Sequence, residues 1–310
     1  MAACDIIVIG ASAGGLEAIR ELARLLPADL PAAVFVTLHV YPGSDGILPL
    51  LIERAGLLPV SHPVDGEPIR AGRIYVAPPD YHLLIEPGQI QLSHGPRENM
   101  QRPCINTMFR SAAAAYGERV AGVLLTGLLD DGAAGLWEIQ QHHGVTIVQD
   151  PEEAPFRSMP ESAIRGLNVQ YIVGVAEMAP LLSRLSMANP DRTSPGTELP
   201  PMVEHSGQAC PECGGAMTTV RMGGLREYRC HIGHRLSLQA MIAEKNRVIE
   251  QAMGMALAQS EELTELLESA LESSAGSPDE LRKEIARRSL EQETLRRLTG
   301  NKDNCPRIGR

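Results

Sequence analysis

Residues 5–26 read DIIVIGASAGGLEAIRELARLL, and this stretch decides the fold. Residues 5–10 are a strand-like β-branched run, residues 10–15 a Gly-rich turn, and residues 16–26 carry apolar positions at helical spacing. A strand passing through a tight turn into an amphipathic helix is the opening half of a crossover unit. The same alternation recurs outward to about residue 186, with strands expected at 32–38 (AAVFVTL), 73–77 (RIYVA), 120–126 (VAGVLLT), 145–149 (VTIVQ) and 171–173. Helices are expected around 47–55, at 105–116 and at 133–143, and Pro87-Gly88 between 81–86 and 89–93 signals a hairpin. Strands alternating with helices predict an α/β fold: a doubly wound, mainly parallel sheet covered on both faces.

Beyond residue 186 the texture changes. Residues 187–208 are rich in Pro, Ser and Thr and read as a linker. A compact Cys/His unit follows at 209–236. Residues 237–300 show helical spacing broken at 273–278 (SSAGSP), which predicts a C-terminal helical hairpin, with 301–310 left as a tail. The apolar stripe Leu263, Leu266, Leu267, Ala270 and Leu271 suits a hairpin packed on itself or on the Cys/His unit, or else a docking or dimerisation helix.

The 310 residues carry a net charge of -10 and only 3% aromatics, which argues against a nucleic-acid binder with its basic stripe and stacking platforms. No stretch reaches the roughly 18 apolar residues that span a bilayer, and the first apolar run is too short for a signal peptide. A cytoplasmic protein without membrane insertion is expected. Six cysteines in that setting suggest metal binding or buried thiols rather than disulfides.

Three polar residues sit just beyond probable strands: Ser12 in the Gly-rich turn, His39 after 32–38, and Asp131 in 126–132 (TGLLDDG). Each has a bland alternative. The turn resembles a degraded dinucleotide loop, although that reading wants an acidic residue after the second strand, where His39 stands. His39 alone could be a surface residue, and Asp131 before Gly132 could be a helix N-cap. Together they occupy the edge where open α/β sheets place their ligands. Serine needs a base within hydrogen-bond reach, and the base needs an acid to fix its tautomer. Ser12, His39 and Asp131 make that set complete.

The motifs GASAGG, Arg102-Pro103 followed by 108–113 (MFRSAA), 124–136 (LLTGLLDDGAAGL), TIVQD, 159–164 (MPESAI) and 76–83 (VAPPDYHL) occur in the order found in chemotaxis protein-glutamate methylesterases. Residues 5–186 resemble the catalytic domain of that CheB family. The resemblance implies hydrolysis of γ-glutamyl methyl esters on chemoreceptor helices with release of methanol, glutamine deamidation as a second activity, and no cofactor for catalysis. It implies a Ser12 nucleophile, a His39 base, an orienting Asp131, and an oxyanion donor at the Leu128 backbone N–H beside Ala13. The partners it implies are a methylated chemoreceptor or receptor-like helical protein and a cognate methyltransferase. Three departures stand out: Gly-Leu-Leu replaces the usual Gly-Met-Gly, Ala13 replaces a common Thr, and a stand-alone form without the family's usual receiver domain is expected, since the sequence opens on the catalytic strand. They leave a second function open, a signalling adaptor that keeps the fold and binds partners without turnover; a nucleotide-dependent enzyme is a third.

In the Cys/His unit, Cys210-x-x-Cys213 followed by two glycines and Cys230-x3-His234 supply four ligands suited to structural zinc, with His231 the rival fourth. The alternatives are a redox pair or unrelated thiols; the redox motif wants a strand-to-helix context that is missing here. A zinc-ribbon-like unit is therefore expected. Similar Cys/His tails resemble those on some stand-alone methylesterase relatives. Cys4, Cys104 and Cys305 have no ligand spacing and read as buried or incidental thiols.

Overall fold

Strands β1 (Ile6–Ala11) and β2 (Ala33–Leu38) are buried at every residue, so both faces of the sheet they start must be covered. Helix α1 (Gly15–Leu25) joins them, and α2 (Leu48–Glu53), β3 (Val60–Ser61) and β4 (Arg73–Val76) follow. The hairpin β5 (His82–Glu86) and β6 (Gln89–Ser93) leads to α3 (Ile105–Tyr116) and β7 (Val120–Leu124). Then come α4 (Ala133–Gln141), β8 (Val145–Gln149), α5 (Ser158–Gly166), β9 (Tyr171–Val173) and α6 (Val175–Ser186). The computed structural model describes residues 3–187, 202–273 and 277–299.

Seven strands form one sheet in the order β3-β4-β2-β1-β7-β8-β9, with every neighbouring pair parallel. Helices α1 and α6 cover one face through Ile19, Leu22, Met178 and Leu182. Helices α3, α4 and α5 cover the other through Met108, Phe109, Leu136 and Met159, and the β5–β6 hairpin packs on α3. This is the doubly wound arrangement expected. The chain winds outward from β1 in one direction through β2 and β4, and in the other through β7, β8 and β9. The crevice at such a reversal, at the carboxyl ends of the strands, is where open sheets build their sites.

One expectation needs correction. The linker read at 187–208 gives way at Met202 to a strand, β10 (Met202–Ala209), which pairs antiparallel with β11 (Ala216–Met222). Strands β12 (Leu225–Cys230) and β13 (Arg235–Ser237) complete this second sheet. β10 is an edge strand with mostly exposed side chains, so its polar composition carries no apolar alternation to betray it. The remaining linker residues 188–201, residues 274–276 of the 273–278 break, and the tail 301–310 with Cys305 lie outside the described residues.

The chain divides into two compact units, Met1–Met241 and Ile242–Arg310. The second sheet belongs to the first unit: Val220 and Met222 join the apolar core on the α3–α5 face, and Leu225 lies against Gly166, where a Cβ would meet it at 2.3 Å. Helix α7 (Leu238–Glu272), from Ile242 on, and helix α8 (Pro278–Leu298) supply the second unit. There they run antiparallel, stitched by Gln292 Nε2 donating to the Ser260 carbonyl (2.9 Å) and Thr264 Oγ1 (2.8 Å) and by the Arg296–Glu261 ion pair. Leu266 of the expected apolar stripe stays 67% exposed in this hairpin. Among the described residues no helix is long and apolar enough to cross a membrane.

Candidate active site

Ser12 follows β1, His39 follows β2, and Asp131 lies in the loop after β7, so three adjacent strands deliver them to one edge. Parallel register does the rest: Ala11 pairs with Leu38 and Gly10 with Leu124, which brings the three strand ends level. Ser12 Oγ lies 3.1 Å from His39 Nδ1, and His39 Nε2 lies 2.8 Å from Asp131 Oδ2. With the imidazole proton on Nε2 and held by Asp131, the Nδ1 lone pair faces the serine hydroxyl. That tautomer is the one able to accept the hydroxyl proton.

Asp131 is 3% exposed and surrounded by donors. Besides His39 it accepts from Ile105 N–H (2.8 Å), Asn99 Nδ2 (3.0 Å), Cys104 Sγ (3.2 Å) and Asn106 N–H (3.3 Å). Burial pushes the carboxyl up, but the His39 hydrogen bond and charge, Ile105 N–H and Cys104 together outweigh it and hold it at about 2. The capping alternative for Asp131 is thus realised on a different helix. It caps the N-terminus of α3, whereas α4, which follows it in sequence, starts from Gly132 with no side-chain cap. Asn106 binds the same loop from the helix side, its Oδ1 accepting Gly132 N–H (3.0 Å) and Gly135 N–H (2.7 Å).

The loop that carries Leu128 closes directly on Ser12. A Cβ on Gly127 would stand 2.9 Å from Ser12 Cβ and 2.5 Å from Met159 Cε, so only glycine permits the approach. Ser12 N–H is committed to the Thr126 carbonyl (3.0 Å) and Gly127 N–H to the Phe156 carbonyl (3.0 Å). Among the described residues the Leu128 N–H takes no acceptor. Ala13 is held through its carbonyl, which accepts Thr126 Oγ1 at 3.1 Å. Leu129 adopts a left-handed φ of 63° with its side chain 42% exposed, a conformation that glycine adopts without cost.

Ser12 and His39 open into a cleft of 550 Å³ walled by Tyr41, Arg97, Met100 and Arg102. Arg102 is anchored by Asp80 (2.8 Å) and by the carbonyls of His94 and Gly95 (3.0 and 2.9 Å). The cleft wall carries two arginines, Arg97 and the Asp80-paired Arg102, although the whole chain is acidic. Sequence reasoning missed this wall and missed Asn99, Cys104 and Asn106 around Asp131; the adjacent left-handed residues Asn99 (φ 49°) and Met100 (φ 63°) have no local sequence signal beyond the tolerance of Asn for that conformation.

In the second sheet, one ligand atom from each of Cys210, Cys213, Cys230 and His234 falls within 4.8 Å of the others, so the group could hold a metal ion. His234 Nδ1 lies 3.7 Å from Cys210 Sγ and 3.4 Å from Cys230 Sγ, and the sulfurs of Cys213 and Cys230 are 3.9 Å apart. A tetrahedron with Zn–S of about 2.3 Å and Zn–N of about 2.0–2.1 Å has edges of roughly 3.8 Å (S···S) and 3.6 Å (S···N). The cluster therefore fits that ion. His234 turns its Nε2 toward Glu212 (3.4 Å), while His231 packs over Gly215 instead.

The family model described as CheB methylesterase matches residues 7–182. A Leptospira interrogans protein provisionally named protein-glutamate methylesterase/protein-glutamine glutaminase is 37% identical over 186 residues, covering 60% of this chain and 96% of the relative. A protein-glutamate methylesterase/protein-glutamine glutaminase of Chromohalobacter salexigens is 40% identical over 163 residues, covering 51% of this chain and 46% of its own length. The chain thus spans about half of that longer relative. Among solved structures, the Thermotoga maritima CheB methylesterase catalytic domain superposes with a TM-score of 0.56 at 29% identity, covering 58% of this chain and 98% of that one.

Proposed function

The chain belongs to the CheB methylesterase family, and on that footing we propose that it is a protein-glutamate methylesterase, with protein-glutamine deamidation as a second activity, acting on a methylated chemoreceptor-like helical protein in the cytoplasm. The observation that supports this best is the unbroken chain Ser12 Oγ–His39–Asp131 at the mouth of a cleft lined by Arg97 and Arg102. Arg97 in the cleft wall suits a substrate whose unmethylated neighbours are glutamates.

In the proposed reaction Ser12 Oγ attacks the γ-carbonyl carbon while His39 Nδ1 takes the hydroxyl proton, and Asp131 stabilises the imidazolium through Nε2–H. The Leu128 N–H, free of any intrachain acceptor among the described residues, is the donor assigned to the oxyanion. Collapse of the tetrahedral intermediate breaks the C–OCH₃ bond, His39 returns its proton to the leaving methoxide, and methanol departs. Water then repeats the sequence on the acyl-serine with His39 as base, releasing the glutamate carboxylate and restoring Ser12. A glutamine side chain would follow the same path with ammonia as leaving group.

Cys210, Cys213, Cys230 and His234 would hold a zinc ion in a closed structural site, where the ion cross-links β12 and the knuckle before β11 and leaves no position for a reacting water. Metal analysis of the purified protein against a Cys213→Ser variant tests that assignment, and a folded, metal-free wild-type protein would overturn it. For the hydrolase, methanol release from a methyl-esterified receptor is compared between wild type and Ser12→Ala. Release that depends on Ser12 supports the proposal. Equal background rates would overturn it and leave a non-hydrolytic adaptor.

A further inference from the structure

Asn99 stands between the Cys/His unit and the candidate triad, and among the described residues its three polar contacts lead to one or the other. Its Nδ2 donates to Asp131 Oδ1 (3.0 Å). Its Oδ1 accepts the Ser237 N–H (2.8 Å), and its own N–H donates to the Arg235 carbonyl (2.7 Å). Arg235 and Ser237 are the two ends of β13, the strand that starts directly after the ligand His234. Ser237 also donates its hydroxyl to Asp130, next to Asp131 in the loop. Asn99 itself is 8% exposed, in the left-handed region.

The contact is reinforced on its flank by buried charge. Glu98 receives both nitrogens of the Arg110 fork at 3.0 Å, Arg110 reaches Glu227 on β12 at 3.5 Å, and Arg235 lies 3.7 Å from both Glu98 and Glu227. Glu98 and Glu227 are nearly inaccessible, so these four groups must stay matched for either sheet to keep its place. A module tethered only by a linker would have no reason to build such a mesh beside a triad.

We propose that Asn99 is a positioning residue through which the Cys/His unit holds Asp131, and hence His39, in hydrolytic register, so that the integrity of the unit and catalytic competence are coupled. This rests on the hydrolase reading above. Asp131 has two oxygens with different duties: Oδ2 faces His39, and Oδ1 faces Asn99. The Asn99 amide, pinned by β13, fixes the carboxylate rotation that keeps Oδ2 aimed at His39 Nε2. Folding of the Cys/His unit around its metal sets β13, and β13 sets the amide.

The test uses the whole chain described above, loaded with zinc. Asn99→Gly keeps the left-handed backbone and removes the amide. It should lower kcat on the order of 10- to 100-fold, the worth of one hydrogen bond to a charged group, with KM changed less than about threefold and zinc content unchanged. Asn99→Asp keeps the acceptor for Ser237 but puts a second carboxylate beside Asp131. The acidic limb of its kcat–pH profile should move upward, a shift that a purely structural role would not produce. Stripping zinc with a chelator, or Cys213→Ser, should give a similar loss in wild type and little further loss in the Asn99→Gly background. The downfield proton resonance of His39 Nε2–H should weaken in all of these. Wild-type kcat, pH profile and resonance in the Asn99 variants would overturn the proposal, as would losses that simply multiply. If Ser12→Ala and wild type release methanol equally, the hydrolase reading fails. The His39 resonance with and without zinc still decides the coupling.

Discussion

Replacing Asp131 by Asn is the sharpest perturbation of the site, because it changes one atom's chemistry and almost no volume. The carboxylate accepts from five donors, two of them backbone N–H groups, Ile105 on the Oδ2 side and Asn106 on the Oδ1 side. Whichever way the new amide turns, its NH₂ meets a main-chain donor that cannot turn away. Aimed at His39, it also forces the proton from Nε2 to Nδ1, where the lone pair that should receive the Ser12 proton is lost. A fall in kcat of about 10⁴ follows from that tautomer change. Stability falls too. The carboxyl is lowered from 3.8 to about 2 in the fold, which corresponds to about 2–3 kcal/mol. A depressed acid stabilises the fold above its unfolded pKa and loses that contribution as pH falls through the folded value. The variant should therefore be less stable by about 2–3 kcal/mol at pH 7, with the gap closing toward pH 2. Methanol release measures the rate, and urea unfolding from pH 7 to 3 measures the stability. A variant that retains a tenth of wild-type kcat would show that Asp131 does not set the His39 tautomer, and a gap that does not narrow in acid would show that its ionised carboxylate does not stabilise the fold.

Two neighbours in the same loop make further predictions. Leu129→Gly removes a side chain from a left-handed backbone, which costs about 1–2 kcal/mol for an L-residue against roughly 0.5–1 kcal/mol of extra glycine entropy, so urea unfolding should show a net gain of about 0.5–1 kcal/mol; a loss would mean that the exposed side chain is packed in solution. Burial, aided by the Asp131 charge and opposed by the Ser237 hydroxyl, raises the Asp130 carboxyl from 3.8 to about 6. A raised acid burdens the fold once ionised, so stability should rise as pH drops from 6 to 4; Asp130→Asn, which keeps the acceptor for Ser237, should add about 2–3 kcal/mol at pH 8 and flatten that rise, and unchanged stability at pH 8 would refute the assignment.

What the sequence determined by itself was local. Alternating β-branched runs and amphipathic segments are set by periods of 2 and 3.6 within a window of a dozen residues, and they predicted the doubly wound sheet. Ser12 and His39 were legible as candidates because each sits immediately after such a run, Asp131 because it lies in the short loop between a run and the next helical segment, and the Cys210, Cys213, Cys230 and His234 spacing because knuckles are short-range objects. The tertiary structure alone decided what those residues touch. Asp131 finds Asn99 across 32 positions of sequence and Asn99 finds Ser237 across 138, contacts that exist only once strand order and the placement of the second sheet are set. The same holds for β10, whose strand character comes from its partner β11 and not from its own exposed residues. Period and spacing act through neighbours along the chain, whereas hydrogen-bond partners are chosen by proximity in the folded state. The candidate triad was therefore readable in one dimension, but its cradle and its contacts with the Cys/His unit were not.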